Sequence, residues 1–246
     1  MNVRIGQGRS MIKQKEYKTE LLNIHLDIDE LSLRLGGGIP RGSIVLIEGP
    51  LGSGRSVLCQ RILYGLLANH QSATYVSTEL TMRDFIDQMT SLGYDISRHI
   101  MSRALQFFPV YPLIGQASSR VNFMDRLIDS PILYEKDVLF VDSLSTLTKD
   151  TLDEQSCIRL VGFMKRAMKL QKTMILTIEE GFPGMDPLRQ AADIYMTLNM
   201  RASSHDIVRS MHMKRYQRAR GQLDDIILFR IEPGFGLVIE ITEVSG

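Results

Sequence analysis

Apolar residues along this chain fall into two kinds of run. Short, mostly apolar runs at 43–48, 73–77, 105–110, 137–142, 173–178 and 193–199 predict strands. Longer stretches with apolar residues three and four apart predict helices over 54–68, 81–92, 119–129 and 153–170. Strand and helix alternate, the pattern of a mainly parallel central sheet with flanking helices. Thr81 followed by Asp84 reads as a capping box with the shorter acid, and Phe85, Ile86, Met89 and Leu92 mark the buried face of the helix it opens. After residue 200 the pattern changes. Runs at 207–216, 225–232 and 236–242 predict three more strands, the last two joined by Pro233-Gly234-Phe235 as a hairpin. The expected fold class is α/β, with a C-terminal antiparallel extension.

Between the first strand and the first helix lies Gly49-Pro50-Leu51-Gly52-Ser53-Gly54-Arg55-Ser56, followed by Val57. This meets the phosphate-loop pattern G-x-x-x-x-G-K-[ST] at every fixed position except the lysine, replaced by Arg55. Strand before and helix after are the context in which such a loop works. Its glycines let backbone N–H groups converge on a polyphosphate, and the helix N-terminus adds a positive dipole end. Ser56 is placed to hold Mg2+. Lysine is a compact point charge, whereas arginine is a wide planar fork that binds phosphate oxygens but fits the slot between β- and γ-phosphates differently. Nucleotide binding should survive this exchange better than transition-state placement.

Nucleotide hydrolysis needs further groups. Val138-Leu139-Phe140-Val141-Asp142 is an apolar strand ending in an acid, and Asp142 would touch a magnesium ion or orient its water. Ser143 and Ser145 follow as candidate γ-phosphate sensors. Glu79, just past the strand 73–77, faces the same crevice and is the candidate water-orienting base. Lys214, Arg215, Arg218 and Arg220 cluster near the loop 216–222. They fit a single-stranded nucleic-acid groove, a finger reaching a neighbour's nucleotide, or a solvated charged turn.

Bulk properties narrow these alternatives. At 246 residues one α/β domain is expected, preceded by a flexible N-terminal arm over 1–20. The net charge of +1 makes no global case for nucleic acid or an anionic membrane, and the absence of tryptophan argues mildly against a base-stacking platform. Cys59 and Cys157 fall in separate helices and read as buried thiols of a reducing cytosol. No apolar run reaches the roughly 18 residues of a membrane span, and the N-terminus has no apolar signal core, so a cytoplasmic location is expected.

With these parts in place the chain resembles the RecA/KaiC-like ATPases, and within them the archaellum accessory ATPases, the FlaH/ArlH family. The resemblance is carried by Gly37-Gly38-Ile39-Pro40, Gly54-Arg55-Ser56-Val57-Leu58, Tyr75-Val76-Ser77-Thr78-Glu79-Leu80-Thr81, Ser91-Leu92-Gly93-Tyr94-Asp95 and Phe229-Arg230-Ile231-Glu232-Pro233-Gly234-Phe235-Gly236-Leu237. It spans about residues 21–243, within an ATP-binding domain taken as 21–246. It implies a RecA-like P-loop NTPase fold and binding of ATP with Mg2+ at residues 49–57, Ser56 and Asp142. It also implies a place at the cytoplasmic base of the archaeal filament, beside the motor ATPase (FlaI/ArlI type) and the polytopic membrane platform (FlaJ/ArlJ type). Members can form hexameric rings, which would make Lys214 and Arg215 candidates for a finger acting in trans. Two departures, Arg55 and the pair Glu79-Leu80 where the KaiC group has two glutamates, point to a regulator with slow or no turnover. A RecA/RadA-like ATPase acting on single-stranded DNA and a KaiC-like signalling ATPase are the alternatives. The second would need a phosphorylatable tail, which the 246 residues do not show after the hairpin.

Overall fold

A computed structural model describes residues 20–110, 123–148, 154–202 and 207–240. The chain enters through β1 (Leu21–Leu22), a single helical turn α1 (Leu31–Arg34) and β2 (Ile39–Pro40), which pairs antiparallel with β1. The phosphate-loop strand β3 (Ile44–Gly49) and helix α2 (Arg55–Ala68) follow, then β4 (Ala73–Ser77), α3 (Met82–Ser91), α4 (Ser97–Met101) and β5 (Leu105–Pro109). Next come α5 (Phe123–Asp129), a 3-10 turn at Pro131–Tyr134, β6 (Val138–Asp142), α6 (Leu144–Thr148), α7 (Glu154–Lys169) and β7 (Thr173–Glu179). The chain continues through α8 (Asp186–Ala191), β8 (Ile194–Ala202), β9 (Ile207–Tyr216), β10 (Ile226–Glu232) and β11 (Gly236–Ile239).

Among the described residues nine strands form one sheet in the order β11-β10-β9-β8-β3-β7-β6-β4-β5. From β8 to β5 all pairs are parallel; β9, β10 and β11 extend the sheet antiparallel. This is the α/β architecture expected, with its antiparallel extension. The sequence-predicted strands and helices recur within a few residues at each end. Residues 1–19 of the expected arm, 119–122 and 153 of two expected helices, and 241–242 of the last strand lie outside the described residues.

The mostly apolar runs have a simple cause. Successive residues of a strand point to opposite faces, and here both faces are covered. Val45 and Ile47 pack into the core beneath α2 and α3, while Ile44 and Leu46 pack into the core beneath α7. α2 is buried on most sides, because Leu22, Ile24 and Leu31 of the N-terminal segment cover its outer face. Arg61, fully buried in that helix, is accommodated by an ion pair with Asp29 and by donating to the Ile24 carbonyl at 3.0 Å. α3 carries the predicted capping box: Thr81 Oγ1 accepts from Asp84 N at 2.9 Å, and Asp84 Oδ2 accepts from Thr81 N at 3.3 Å. Phe85, Met89 and Leu92 are buried, and Ile86 is partly so.

Candidate functional site

β3 ends at Gly49 and α2 begins at Arg55, so the intervening turn sits at the carboxyl edge of the parallel strands. Gly54, the N-cap of α2, has φ +94°, a conformation side chains resist. A β-carbon there would also lie 3.2–3.3 Å from Ile231 Cδ1, Arg209 Cδ and Phe229 Cε2. At Gly49 a β-carbon would approach Leu198 O and Ser53 Oγ to 2.8 Å. The loop is therefore packed closely on β8, β9 and β10. The first amides of α2, those of Arg55, Ser56 and Val57, have no partner within the helix and carry its positive end.

Three buried polar atoms at or just after this loop lack any hydrogen-bond partner: Ser53 Oγ, Arg55 Nη1 and Gln60 Oε1. Arg55 is only 9% exposed, and its guanidinium makes no hydrogen bond among the described residues. A buried cation without a hydrogen-bonded anion is costly, and unsatisfied buried groups gathered at one place mark a site that a ligand completes.

A cavity of about 190 Å3 opens beside the loop, lined by Ser56, Val57, Gln60, Ser77, Glu79, Leu80, Gln88 and Asp142. It brings together Ser56, Glu79 and Asp142, which the sequence places in three separate segments. The sheet order explains the meeting: β7 separates β3 from β6, and β4 pairs with β6 so that Ser77 lies opposite Asp142. Asp142 is 8% exposed, and both its oxygens accept from buried hydroxyls. Tyr75 donates to Oδ2 at 2.7 Å and Thr177 donates to Oδ1 at 2.8 Å. Burial, then the Asp142 charge, pushes the Tyr75 phenol well above its ordinary 10, so it stays a neutral donor. Glu79 is exposed as a residue, yet partial burial of its carboxyl and then the Asp142 charge raise it above its ordinary 4.5; Arg55 opposes this. A carboxyl poised upward in a cleft suits a proton-accepting role.

Ser143 and Ser145 are tied to each other, Oγ to Oγ, at 2.7 Å, and Ser145 Oγ also accepts from Glu179 N at 3.0 Å. The shared bond uses one of the two hydroxyl hydrogens and leaves the other as a donor. Cys59 and Cys157 are buried free thiols.

The basic cluster lies at the other end of the sheet. Tyr216 pairs with Ile194, which pairs with Val45 near the start of β3, so Lys214 and Arg215 are far along β9 from the chain's own loop. Arg215 Nη1 donates to the carbonyls of Arg189, Gln190 and Ala192 at 2.8–3.0 Å. Arg218 Nη2 donates to Gly42 O and Ser43 Oγ, and its Nη1 to Arg41 O. Lys214 is exposed and has no partner among the described residues.

Several residues around the loop carry no sequence signal. Arg209, at the near end of β9, donates from Nε to Gly52 O at 3.2 Å. Tyr75, Thr177 and Gln60 sit in apolar runs and read there as ordinary core. Among the described residues no group of three or more His, Cys, Asp or Glu could cage a metal ion. Ser56 and Asp142, hard oxygen donors on one cavity, fit Mg2+ in the way nucleotide sites hold it, with phosphate and water completing the shell. No helix among the described residues is long and apolar enough to cross a membrane.

The family model described as KaiC ATPase matches residues 24–243. The archaeal flagellar ATP-binding protein FlaH of Methanocaldococcus jannaschii is 38% identical over 229 residues, 92% of this chain and 98% of that protein. FlaH of Methanococcus voltae is 35% identical over 90% of this chain and 98% of its own length. The crystal structure of the M. jannaschii flagellar accessory protein FlaH superposes with a TM-score of 0.84, covering 91% of this chain and 100% of that one at 37% identity. A KaiC-like protein of Pyrococcus horikoshii OT3, 16% identical, matches in fold with a TM-score of 0.73 over 91% of this chain and 100% of its own.

Proposed function

The chain belongs to the KaiC family of ATPases and, within it, to the FlaH group, and from that premise we propose that it is an ATP-binding accessory subunit of the archaellum motor. The observation that carries this is the buried guanidinium of Arg55, unpaired at the N-terminus of α2 and beside a cavity that holds Ser56 and Asp142. A triphosphate supplies the missing anion. In this reading residues 49–57 wrap the phosphates with backbone amides, and Arg55 grips phosphate oxygens with its fork. Ser56 and Asp142 would hold Mg2+, which when bound neutralises β- and γ-phosphate charge. Glu79 orients a water for attack.

Turnover is slow in this proposal. Arg55 is too wide for the slot a lysine fills, and Glu79 acts without a second acid beside it. Slow hydrolysis suits a subunit whose nucleotide state decides whether it docks on the motor ATPase and the membrane platform, at the cytoplasmic face of the membrane. Differential affinity of the partners for the loaded and empty forms is all that such control requires.

Calorimetric titration of ATP with Mg2+ tests the assignment. Arg55→Ala should weaken binding by about 1.5–3 kcal/mol, the worth of hydrogen bonds to a charged group. A variant that melts like wild type and binds ATP undiminished would remove this site from consideration.

A further inference from the structure

Asp142 is a buried carboxylate held by two neutral hydroxyls and by no cation among the described residues. Tyr75 reaches it from β4 and Thr177 from β7, the two strands that flank β6. The hydroxyls take one position on each carboxylate oxygen. An ionised carboxylate has about four such positions, so the remainder stay open towards the cavity. Tyr75 is itself fixed: its ring centroid lies 4.9 Å from that of Phe85, 5.4 Å from that of Phe140 and 6.1 Å from that of Phe107. Phe85 belongs to α3, the helix that begins just after Glu79.

We propose that Tyr75 and Thr177 are positioning residues for the metal-nucleotide, holding Asp142 by both oxygens so that its free lone pairs face the cavity where the metal's water would lie. The inference rests on the reading of this cavity as an ATP-Mg site. Without the two hydroxyls the buried carboxylate loses its fixed orientation and two of its hydrogen-bond donors. Outer partners of this kind fix the orientation of a metal-binding group and commonly govern metal affinity by ten- to a hundredfold.

The test is the ratio of ATP affinities measured with and without Mg2+, in wild type, Tyr75→Phe, Thr177→Val and Thr177→Ser. Tyr75→Phe keeps the ring that packs among Phe85, Phe107 and Phe140, and thermal melts check the fold of each variant. The expected result is that Tyr75→Phe and Thr177→Val each lower the ratio about tenfold or more, that Thr177→Ser restores it, and that Thr177→Val adds nothing in an Asp142→Asn background. A ratio equal to wild type in both hydroxyl-deleted variants overturns the positioning role while leaving the ATP site intact. A fall in stability or metal-free affinity with no change in the ratio does the same. Wild type that binds no ATP under either condition overturns the site assignment and this inference with it.

Discussion

Arg189 holds Glu48 side-on: Nε donates to Oε2 at 2.9 Å and Nη2 to Oε1 at 2.8 Å. Tyr195 donates to Oε2 at 2.7 Å and Gly181 N to Oε1 at 2.9 Å, so a carboxylate 4% exposed is fully engaged. Glu48 immediately precedes Gly49, and this clamp fixes where β3 releases the chain into the loop. Arg189→Ala leaves a buried carboxylate without its cation, a loss of about 3–5 kcal/mol in comparable pairs. Denaturant unfolding should show a drop of that size, with ATP affinity falling too as the loop loses its anchor. A change under about 1 kcal/mol, the range of an exposed ion pair, would show that the clamp is solvent-screened.

The same carboxylate gives an acid signature. Burial pushes Glu48 up, but Arg189, Tyr195 and the Gly181 amide more than offset it, and the group lies below its ordinary 4.5. A carboxylate depressed on folding contributes stability above the unfolded value and loses it as pH falls through the folded one. The stability of wild type should therefore fall as pH drops below about 4.5, the ordinary value for this group. Glu48→Gln, less stable at neutral pH, should show a shallower acid slope. Parallel slopes for the two proteins from neutral pH to acid would contradict the linkage.

Arg209 offers a second handle on the loop. Its Nε bond to Gly52 O and the approach of its Cδ to Gly54 tie β9 to the turn. Arg209→Ala should weaken ATP binding several-fold, matching about 1 kcal/mol for one hydrogen bond. Arg209→Lys should recover little, because a flexible ammonium does not reproduce a planar donor fixed along the strand. Equal affinities for wild type and Arg209→Ala would show the contact to be incidental.

Arg55→Lys bears on the rate. A compact ammonium enters the space between β- and γ-phosphates, so turnover should rise by tenfold or more, about 1.4 kcal/mol of barrier. Single-turnover phosphate release is the measurement. A wild-type rate in the common enzyme range of roughly 1–10³ per second would end the slow-regulator reading.

The sequence made the long elements legible and hid the short ones. β3, β4, β6 and β7 are buried on both faces, and their apolar runs stand out; β9 is recovered at both ends. α4, with five residues, and α8, with six, span under two turns and leave no helical period to read. The site split in the same way. Residues 49–57, Glu79 and Asp142 were visible because a spacing or a strand-ending acid marks them. Tyr75 and Thr177 were not, since one polar atom in an apolar run looks like core until the partner is seen across the sheet. Arg209 was missed for a different reason: its role depends on β9 lying beside the loop, a contact between segments about 157 residues apart in sequence.

The basic cluster separates into residues with different duties, and that separation can be measured. Arg215 donates to three carbonyls at the end of α8, where a cation suits the negative end of a helix. Arg218 is bonded to 41–43. Lys214 remains exposed at the sheet end remote from the chain's own loop, so it does not serve the nucleotide of its own chain. If an ATP-favoured ring forms, Lys214 would be the finger and Arg215 would shape the β9 backbone that presents it. Lys214→Ala should leave the melting temperature within a degree or two, since surface changes usually stay within about 0.5 kcal/mol, and should abolish nucleotide-dependent assembly. Arg215→Ala should instead lower stability by about 1–3 kcal/mol, the cost of leaving those carbonyls unpaired, and weaken assembly only as a consequence. Light scattering at tens of micromolar with ATP, ADP and no nucleotide, run beside thermal melts, separates the two. A mass that stays monomeric in all three states, or Lys214→Ala assembling as readily as wild type, would leave the finger without support.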